Sequence, residues 1–554
     1  MTKGKHDAAR ASGHYRTAVP TAYLDTFAND RLPPLEDWPE LRLNLPGLTY
    51  PARLNACRML LDDALAEGHG ARPALFDEQG QWTYSELREA SNRIADTLVR
   101  EEGLVSGNRV LIVGPNSRHL AAAWLAVLRA GGIAVTAMPL LRAAELGKIA
   151  EKAMIDHVLC DVTLRPEVER AALQTGRLRR IRSWGSGDLE RPRPVARDYV
   201  PVDTAADDVA LIAFTSGTTG TPKATMHFHR DILTMADVVA PALLQTSPGD
   251  VYVGTPPLGF TFGLGALLVF PLRFRAAAAY VSQPTPDGIL NAVKQYRATA
   301  LFTSPTMYRT LARSAATADL GDLRHCVSAG EPLSRATSDA WFAATGLRLI
   351  DGIGSTEMIH IFIGACGADI RPGATGKPLA GYEAVVLDDA GNPLRVGTGR
   401  LAVKGPTGCR YLEDPRQRDY VQAGWNITGD RYRIDAEGYF WFEARSDDMI
   451  ISSGYNIAGP EIEGTLLAHP AVAECAVIGV PDAERGQIVK AYVVLQPGYS
   501  AGQELTRELQ NFVKTQIAPY KYPRAVEFRA ALPKTATGKV QRSALRTEAW
   551  NSSP

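Results

Sequence analysis

Thr215-Ser216-Gly217-Thr218-Thr219-Gly220-Thr221-Pro222-Lys223 places two glycines, four hydroxyl side chains after Thr215 and one lysine within nine positions. Glycine permits left-handed turns and close backbone approach, so this stretch reads as a flexible loop dense in N–H and O–H donors. Such a loop can wrap a polyphosphate, with the lysine as a point charge. A polar surface turn accounts for the same letters. A P-loop does not, because that motif needs Gly-Lys adjacent at the start of a helix and Pro222 stands immediately before Lys223.

Upstream of the loop, strands and helices alternate. Thr83 and Glu86 form a capping box ahead of Leu87, Ala90, Ile94 and Leu98, which predicts a helix over 84–101. Strand-like 109–113, helical 120–129, strand-like 133–137, helical 143–153 and strand-like 157–160 follow. That alternation predicts parallel sheets covered by helices, the α/β class. Residues 120–141 form the most hydrophobic window, but Arg129, Gly131 and Gly132 divide it, which favours a buried helix and strand over a membrane span. Residues 1 to about 50 are rich in proline and charge and read as an arm wrapped on the main body.

Past the loop, 427–434 and 438–442 read as short strands of a small β-rich region. Near residue 446 the pattern changes to helical 461–467, strand-like 474–480 and 489–495, and helical 505–517. The division expected is therefore 1–446, a large domain of helix-covered β-sheets with a small β-rich subdomain, and 447–554, a small mobile α+β domain.

The 554 residues carry 60 Lys+Arg against 60 Asp+Glu, so neither a nucleic acid nor an anionic membrane is held by bulk charge. Six scattered cysteines without a C-x-x-C pair fit reduced thiols, and the polar start shows no secretory signal, so a cytoplasmic protein is expected. Monomer and homodimer both stay open.

Further chemistry lies downstream. Asp351-Gly352-Ile353-Gly354-Ser355-Thr356-Glu357 joins glycines, which let backbone approach a purine or phosphate, to a carboxylate suited to Mg²⁺. A helix N-cap with an acidic first turn explains it equally. Ser328-Ala329-Gly330-Glu331-Pro332 is by itself an unremarkable turn. In Thr428-Gly429-Asp430 the carboxylate suits two ribose hydroxyls, because it only accepts hydrogen bonds, although an Asp after Gly is commonly a turn residue. Pro533-Lys534-Thr535-Ala536-Thr537-Gly538-Lys539-Val540-Gln541-Arg542, taken alone, reads as a basic tail.

In this order and spacing the segments resemble the acyl-adenylate-forming superfamily, which includes acyl-CoA synthetases, firefly luciferase and peptide-synthetase adenylation domains. The loop is similar to T-S-G-[ST]-T-G-x-P-K-G, with Ala224 for the last glycine. Residues 351–357 resemble Y-G-x-T-E, with Asp351 set against the common tyrosine. Residues 428–430 resemble T-G-D and 445–450 resemble R-x-D-D-x-I, while 533–542 match P-K-T-x-[ST]-G-K-x-x-R throughout. Arg400 stands where G-E-L has glutamate.

The resemblance implies an enzyme that uses ATP, Mg²⁺ and coenzyme A. By it, ATP and AMP would be held by Thr215, Ser216, Gly217, Thr218, Thr219, Gly220, Ser328, Ala329, Gly330, Glu331, Asp351, Gly352, Ile353, Gly354, Ser355, Thr356, Asp430 and Arg445. Lys539, Lys223 and Glu357 would carry the chemistry, Glu357 as the metal ligand. Asp447 would be the hinge about which the small domain turns, and Ser453, Gly454 and Tyr455 would line the tunnel for the pantetheine arm.

The expected acyl pocket, His227, Phe260, Thr261, Phe262, His360 and Ile361, composes a flat and mostly apolar slot. Residues 351–362 resemble benzoate-CoA ligases, and the arm 23–40 looks most like 2-aminobenzoate-CoA ligases. The resemblance thus implies an acid–thiol ligase for an aryl acid, with 2-aminobenzoate leading. A medium-chain acyl-CoA synthetase, a stand-alone adenylation enzyme loading a carrier protein and a catalytically silent relative remain open. For His227 and His360 a packed structural role is an equal reading.

Overall fold

The computed structural model describes residues 19–43, 45, 47–191, 199–215, 222–445, 448–452, 455–482, 484–535 and 538–551. Ser216, Gly217, Thr218, Thr219, Gly220, Asp447, Ser453 and Gly454 lie outside the described residues.

Strands Arg109–Val113 and Ile133–Ala137 pair in parallel, and every residue of both is buried. With Arg180–Trp184, His157–Asp161, Val209–Thr215 and Lys223–Phe228 they make a six-stranded sheet that is parallel except for its last, antiparallel pair. A nine-stranded sheet stands opposite. Its central strands, among them Val251–Gly254, Ala300–Thr303, His325–Ala329 and Leu349–Gly354, are parallel. Residues 383–445 form a third sheet, antiparallel throughout, and 450–528 form a fourth, with two helices packed on it. The expected α/β class, the small β-rich region and the smaller C-terminal domain are all present.

Helix Arg118–Arg129 is sequestered almost all round, in one apolar cluster that takes side chains from both large sheets. A helix apolar on every side belongs in such a place, which explains the hydrophobic window at 120–141. No described helix is long and apolar enough to cross a membrane. The capping box Thr83/Glu86 opens helix Tyr84–Asp96 as expected, and a π-helical turn, Thr97–Glu101, extends it.

The described part of the arm staples the sheets together. The Tyr23 hydroxyl donates to the Val209 carbonyl at 2.8 Å, and buried Trp38 packs on Phe228 and the Arg410 guanidinium. Arg418 meets Asp37 at 3.0 Å.

Candidate active site

The carboxyl ends of the parallel strands point to one cleft, where open α/β sheets place ligands. In register, Ser328 neighbours Asp351 and Ala329 neighbours Gly352. Thr215 pairs with Lys223 at the end of the antiparallel pair, so the stretch between them begins and ends at one point of the sheet edge. Ala224, fully buried in an apolar cluster, accepts from the Leu412 N–H through its carbonyl, which accommodates the departure from glycine.

The Glu357 carboxylate lies at the cleft wall. Its Oε1 accepts from the Tyr411 hydroxyl at 2.6 Å, and the Tyr411 ring lies 5.2 Å from the Lys223 ammonium. Burial, reinforced by the Glu357 charge, holds the Tyr411 phenol well above the usual tyrosine range, so it stays a donor. The described residues contain no cluster of three or more His, Cys, Asp or Glu able to hold a metal unaided. A single carboxylate with one oxygen already bonded fits Mg²⁺, which keeps waters and takes phosphate oxygens.

Counting back from Glu357 sets the tyrosine of Y-G-x-T-E against Ile353, so the expectation for Asp351 is corrected by two positions. Asp351 lies on the same face of the strand, beside Thr375, and burial pushes its carboxyl up to about 8. Two polar atoms nearby are buried without a partner among the described residues, the Ser328 hydroxyl and Glu331 Oε1. The other Glu331 oxygen accepts from the Thr306 N–H at 3.2 Å and its hydroxyl at 2.7 Å. Orphaned polar atoms at strand ends suit a polar ligand.

Asp430 and Arg445 are register partners on adjacent strands and form an ion pair at 3.1 Å. The C-terminal segment brings Lys539 to the same cleft. Gly538 adopts φ +84°, which suits glycine, and the turn closes with the Thr535 N–H donating to the Lys539 carbonyl at 2.7 Å. The Lys539 Cε stands 3.3 Å from where a Cβ on Gly330 would lie, and its ammonium is 5.8 Å from the Phe260 ring. Burial lowers the Lys539 pKa; Glu331 and Asp430 oppose that and Arg445 adds to it.

Beside them lies an aromatic group. The His360 ring centroid is 4.6 Å from that of Phe270 and 5.6 Å from that of Phe262. His360 Nε2 is 3.2 Å from the Phe262 carbonyl, an arrangement in which it donates, and Nδ1 has no partner. Burial lowers the His360 pKa to about 4, so the ring is neutral. Gly265 lets the ring approach, Gly352 lets Ile361 approach, and Thr261 opens a one-turn helix after Phe260. Ile359, between Glu357 and His360, holds φ +68°, a strained value for a β-branched residue.

His227 is wholly buried, with Nε2 2.8 Å from the Thr356 carbonyl, so it braces the segment that carries Glu357. Tyr455 is about half exposed and stacks on Tyr520 at 4.5 Å, with no described ring contact to the cleft. Arg400 pairs through backbone with Leu387 and Arg431 in the third sheet. Sequence reasoning missed Tyr411, Tyr420 and Thr306, which no motif singled out. The Tyr420 and Ser355 hydroxyls are 3.3 Å apart.

Comparison with known proteins gives the family. The family described as AMP-binding enzyme matches residues 63–410, and the AMP-binding enzyme C-terminal domain matches 461–539. The chain is 33% identical over 522 residues to the benzoate–CoA ligase of Thauera aromatica, covering 91% of this chain and 97% of that one. Among solved structures it is similar to the anthranilate CoA ligase AuaEII in complex with anthranoyl-AMP, with TM-score 0.87, 32% identity, and 92% and 99% of the two chains covered. A benzoate CoA ligase from Burkholderia xenovorans LB400 gives TM-score 0.81 at 32% identity, with 89% and 100% covered. The chain belongs to the AMP-binding enzyme family, within the acyl-adenylate-forming superfamily and close to its aryl-CoA ligases.

Proposed function

We propose that this chain is an ATP-dependent aryl acid–CoA ligase, acting on benzoate-type acids with 2-aminobenzoate as the leading substrate. The observation that most supports it is the position of Lys539, drawn from the far end of the sequence to Gly330 and Phe260. There its ammonium can meet both the acid carboxylate and the α-phosphate.

In the first half-reaction a carboxylate oxygen bonds to the α-phosphorus, the bond to the bridging oxygen breaks, and pyrophosphate leaves with the electron pair. The chain's part is positioning and neutralisation. Lys539 offsets the repulsion between the two anions, Lys223 pairs with phosphate oxygens, and Asp430 accepts from the ribose hydroxyls. Ser328, Ala329, Gly330, Glu331 and Asp351 to Thr356 bound the purine and α-phosphate. Mg²⁺, held by Glu357, supplies further charge neutralisation at the phosphates when bound.

Rotation of the small domain about Asp447 then withdraws Lys539 and brings Ser453, Gly454 and Tyr455 to the cleft. The coenzyme A sulfur bonds to the acyl carbon, the acyl–oxygen bond to AMP breaks, and the thiol proton leaves to solvent. No cysteine is needed for this chemistry: none of the six is in a disulfide, and burial pushes up the thiol of Cys409, which lies close to Glu357 and Tyr411, so it stays protonated, while reduced thiols suit a cytoplasmic enzyme.

The aryl preference rests on the Phe262, Phe270 and His360 rings beside Phe260, and on the relatives that act on benzoate and anthranilate. The unpartnered His360 Nδ1 is an acceptor that suits an aromatic amine. The test is a panel of benzoate, 2-aminobenzoate, 2-hydroxybenzoate, phenylacetate and hexanoate with ATP, Mg²⁺ and coenzyme A. Fastest thiol loss is expected with 2-aminobenzoate, then benzoate. Faster turnover of hexanoate than of any aryl acid overturns the aryl reading. Pyrophosphate exchange without thiol loss overturns the ligase in favour of a carrier-loading enzyme.

A further inference from the structure

We propose that Tyr411 is a positioning residue for the adenylation half-reaction, fixing the Glu357 carboxylate through its hydroxyl and the Lys223 ammonium through its ring face. The proposal rests on the adenylate-forming reading and deepens it.

Glu357 and Lys223 come from opposite walls of the cleft. Glu357 follows strand Leu349–Gly354 of the nine-stranded sheet, and Lys223 begins strand Lys223–Phe228 of the six-stranded one. Tyr411 touches both, with its hydroxyl 2.6 Å from Glu357 Oε1 and its ring centroid 5.2 Å from Lys223 Nζ. A hydroxyl-to-carboxylate bond that short is charge-assisted and directional. It stops the carboxylate from rotating and leaves its other oxygen for a ligand. The ring face meanwhile seats an ammonium without neutralising it, which an acidic partner would do.

Tyr411 is itself held rigidly. Its backbone N–H donates to Gln417 Oε1 at 2.9 Å and it bridges to Thr225 across the strand edge. The Tyr420 ring meets it edge-on at 5.8 Å, and Tyr420 in turn reaches Ser355. Gln417 is buried, and its amide N–H donates to the Asp37 carbonyl of the N-terminal arm at 2.8 Å. A chain of contacts therefore runs from the arm through Gln417 and Tyr411 to Glu357. A tyrosine that only filled space would affect melting, but it would not change how the protein distinguishes metal-bound from metal-free ATP.

That distinction is the test. ATP binding to the full-length protein is measured by calorimetry, without any acid, once with Mg²⁺ and once with a chelator. Tyr411→Phe is expected to cut the ratio of the two affinities by about tenfold, the scale of losing a partner that orients a metal ligand. Tyr411→Leu, which removes the ring as well, is expected also to weaken metal-free ATP by about two- to fivefold. In a Glu357→Gln background Tyr411→Phe should change the ratio no further. If Tyr411→Phe does not fold, Gln417→Met, which releases the Tyr411 backbone, should lower the ratio in the same direction.

A ratio that either variant leaves unchanged, or an equal loss with and without the Glu357 carboxylate, overturns the proposal. An unaltered protein that binds neither form of ATP overturns the adenylate reading together with it. Intact ATP binding with an unmoved ratio overturns this proposal alone.

Discussion

Gly265→Ala tests the aryl slot directly. A Cβ at position 265 would stand 2.4 Å from His360 Cδ2, 2.7 Å from its Nε2 and 3.2 Å from Phe270 Cε1. Carbon atoms rest at about 3.5 Å or more, so the imidazole must retreat by ~1 Å. It has little room, since Phe270 and Phe262 flank it at 4.6 and 5.6 Å and its Nε2 holds the Phe262 carbonyl. Overpacking of this kind costs about 1–3 kcal/mol, and loss of the hydrogen bond about 1 kcal/mol more.

If half of that is felt by the bound acid, its KM rises about five- to thirtyfold, at 1.4 kcal/mol per decade. The KM for ATP should stay within about twofold, because none of the residues proposed to hold the phosphates is among the nearest neighbours of a Cβ at position 265. Thiol-release kinetics with acid and ATP varied separately read both constants, and a thermal melt reads the strain. An unchanged acid KM, or an ATP KM that rises as much as the acid KM, would refute the assignment of His360 to the acyl pocket.

Two further predictions concern protons. Burial lowers His227 and His360 to about 4 in the folded chain, while an unfolded histidine titrates near 6.5. As pH falls the unfolded state therefore takes up protons first. Each histidine should withdraw up to roughly 3 kcal/mol of stability between about pH 6.5 and 4, and none above about 7. Melts across that range check it, and a His360→Gln variant with an unaltered acid slope would contradict it. Lys539 acts as an ammonium with a pKa lowered by burial, so acyl-AMP formation should fall as pH rises through that value. Lys539→Arg should slow pyrophosphate exchange yet remove the alkaline limb, and the same limb in both proteins would assign it to another group.

Much of the fold was legible because local signals agreed with the tertiary context. Residues 109–113 and 133–137 read as strands with the bounds observed, since short and mostly apolar runs belong in a parallel sheet covered on both faces. The Thr83 capping box fixed the start of its helix. The window at 120–141 was resolved by its charge and glycines, and the structure shows a buried helix and strand there. Motifs identified Lys539 and Glu357, but they could not locate Lys539 beside Gly330, a contact across some two hundred positions. Tyr411 was invisible because its partners, Glu357 and Lys223, are distant in sequence and no periodicity links them. His227 was expected in the pocket from its place after the loop, and its contact through Nε2 with the Thr356 carbonyl could not be read from that place. Neighbours in sequence do not fix where a side chain points.

The central claim is that Lys539 serves acyl-AMP formation and not thioester formation. The most direct measurement takes Lys539→Ala and follows the two half-reactions separately, pyrophosphate exchange with 2-aminobenzoate and thioester formation from supplied 2-aminobenzoyl-AMP and coenzyme A. Loss of a major charge-stabilising donor should slow the first by roughly a hundredfold or more and leave the second within about twofold. Equal loss in both half-reactions would contradict the account, because Lys539 would then be needed in both domain orientations.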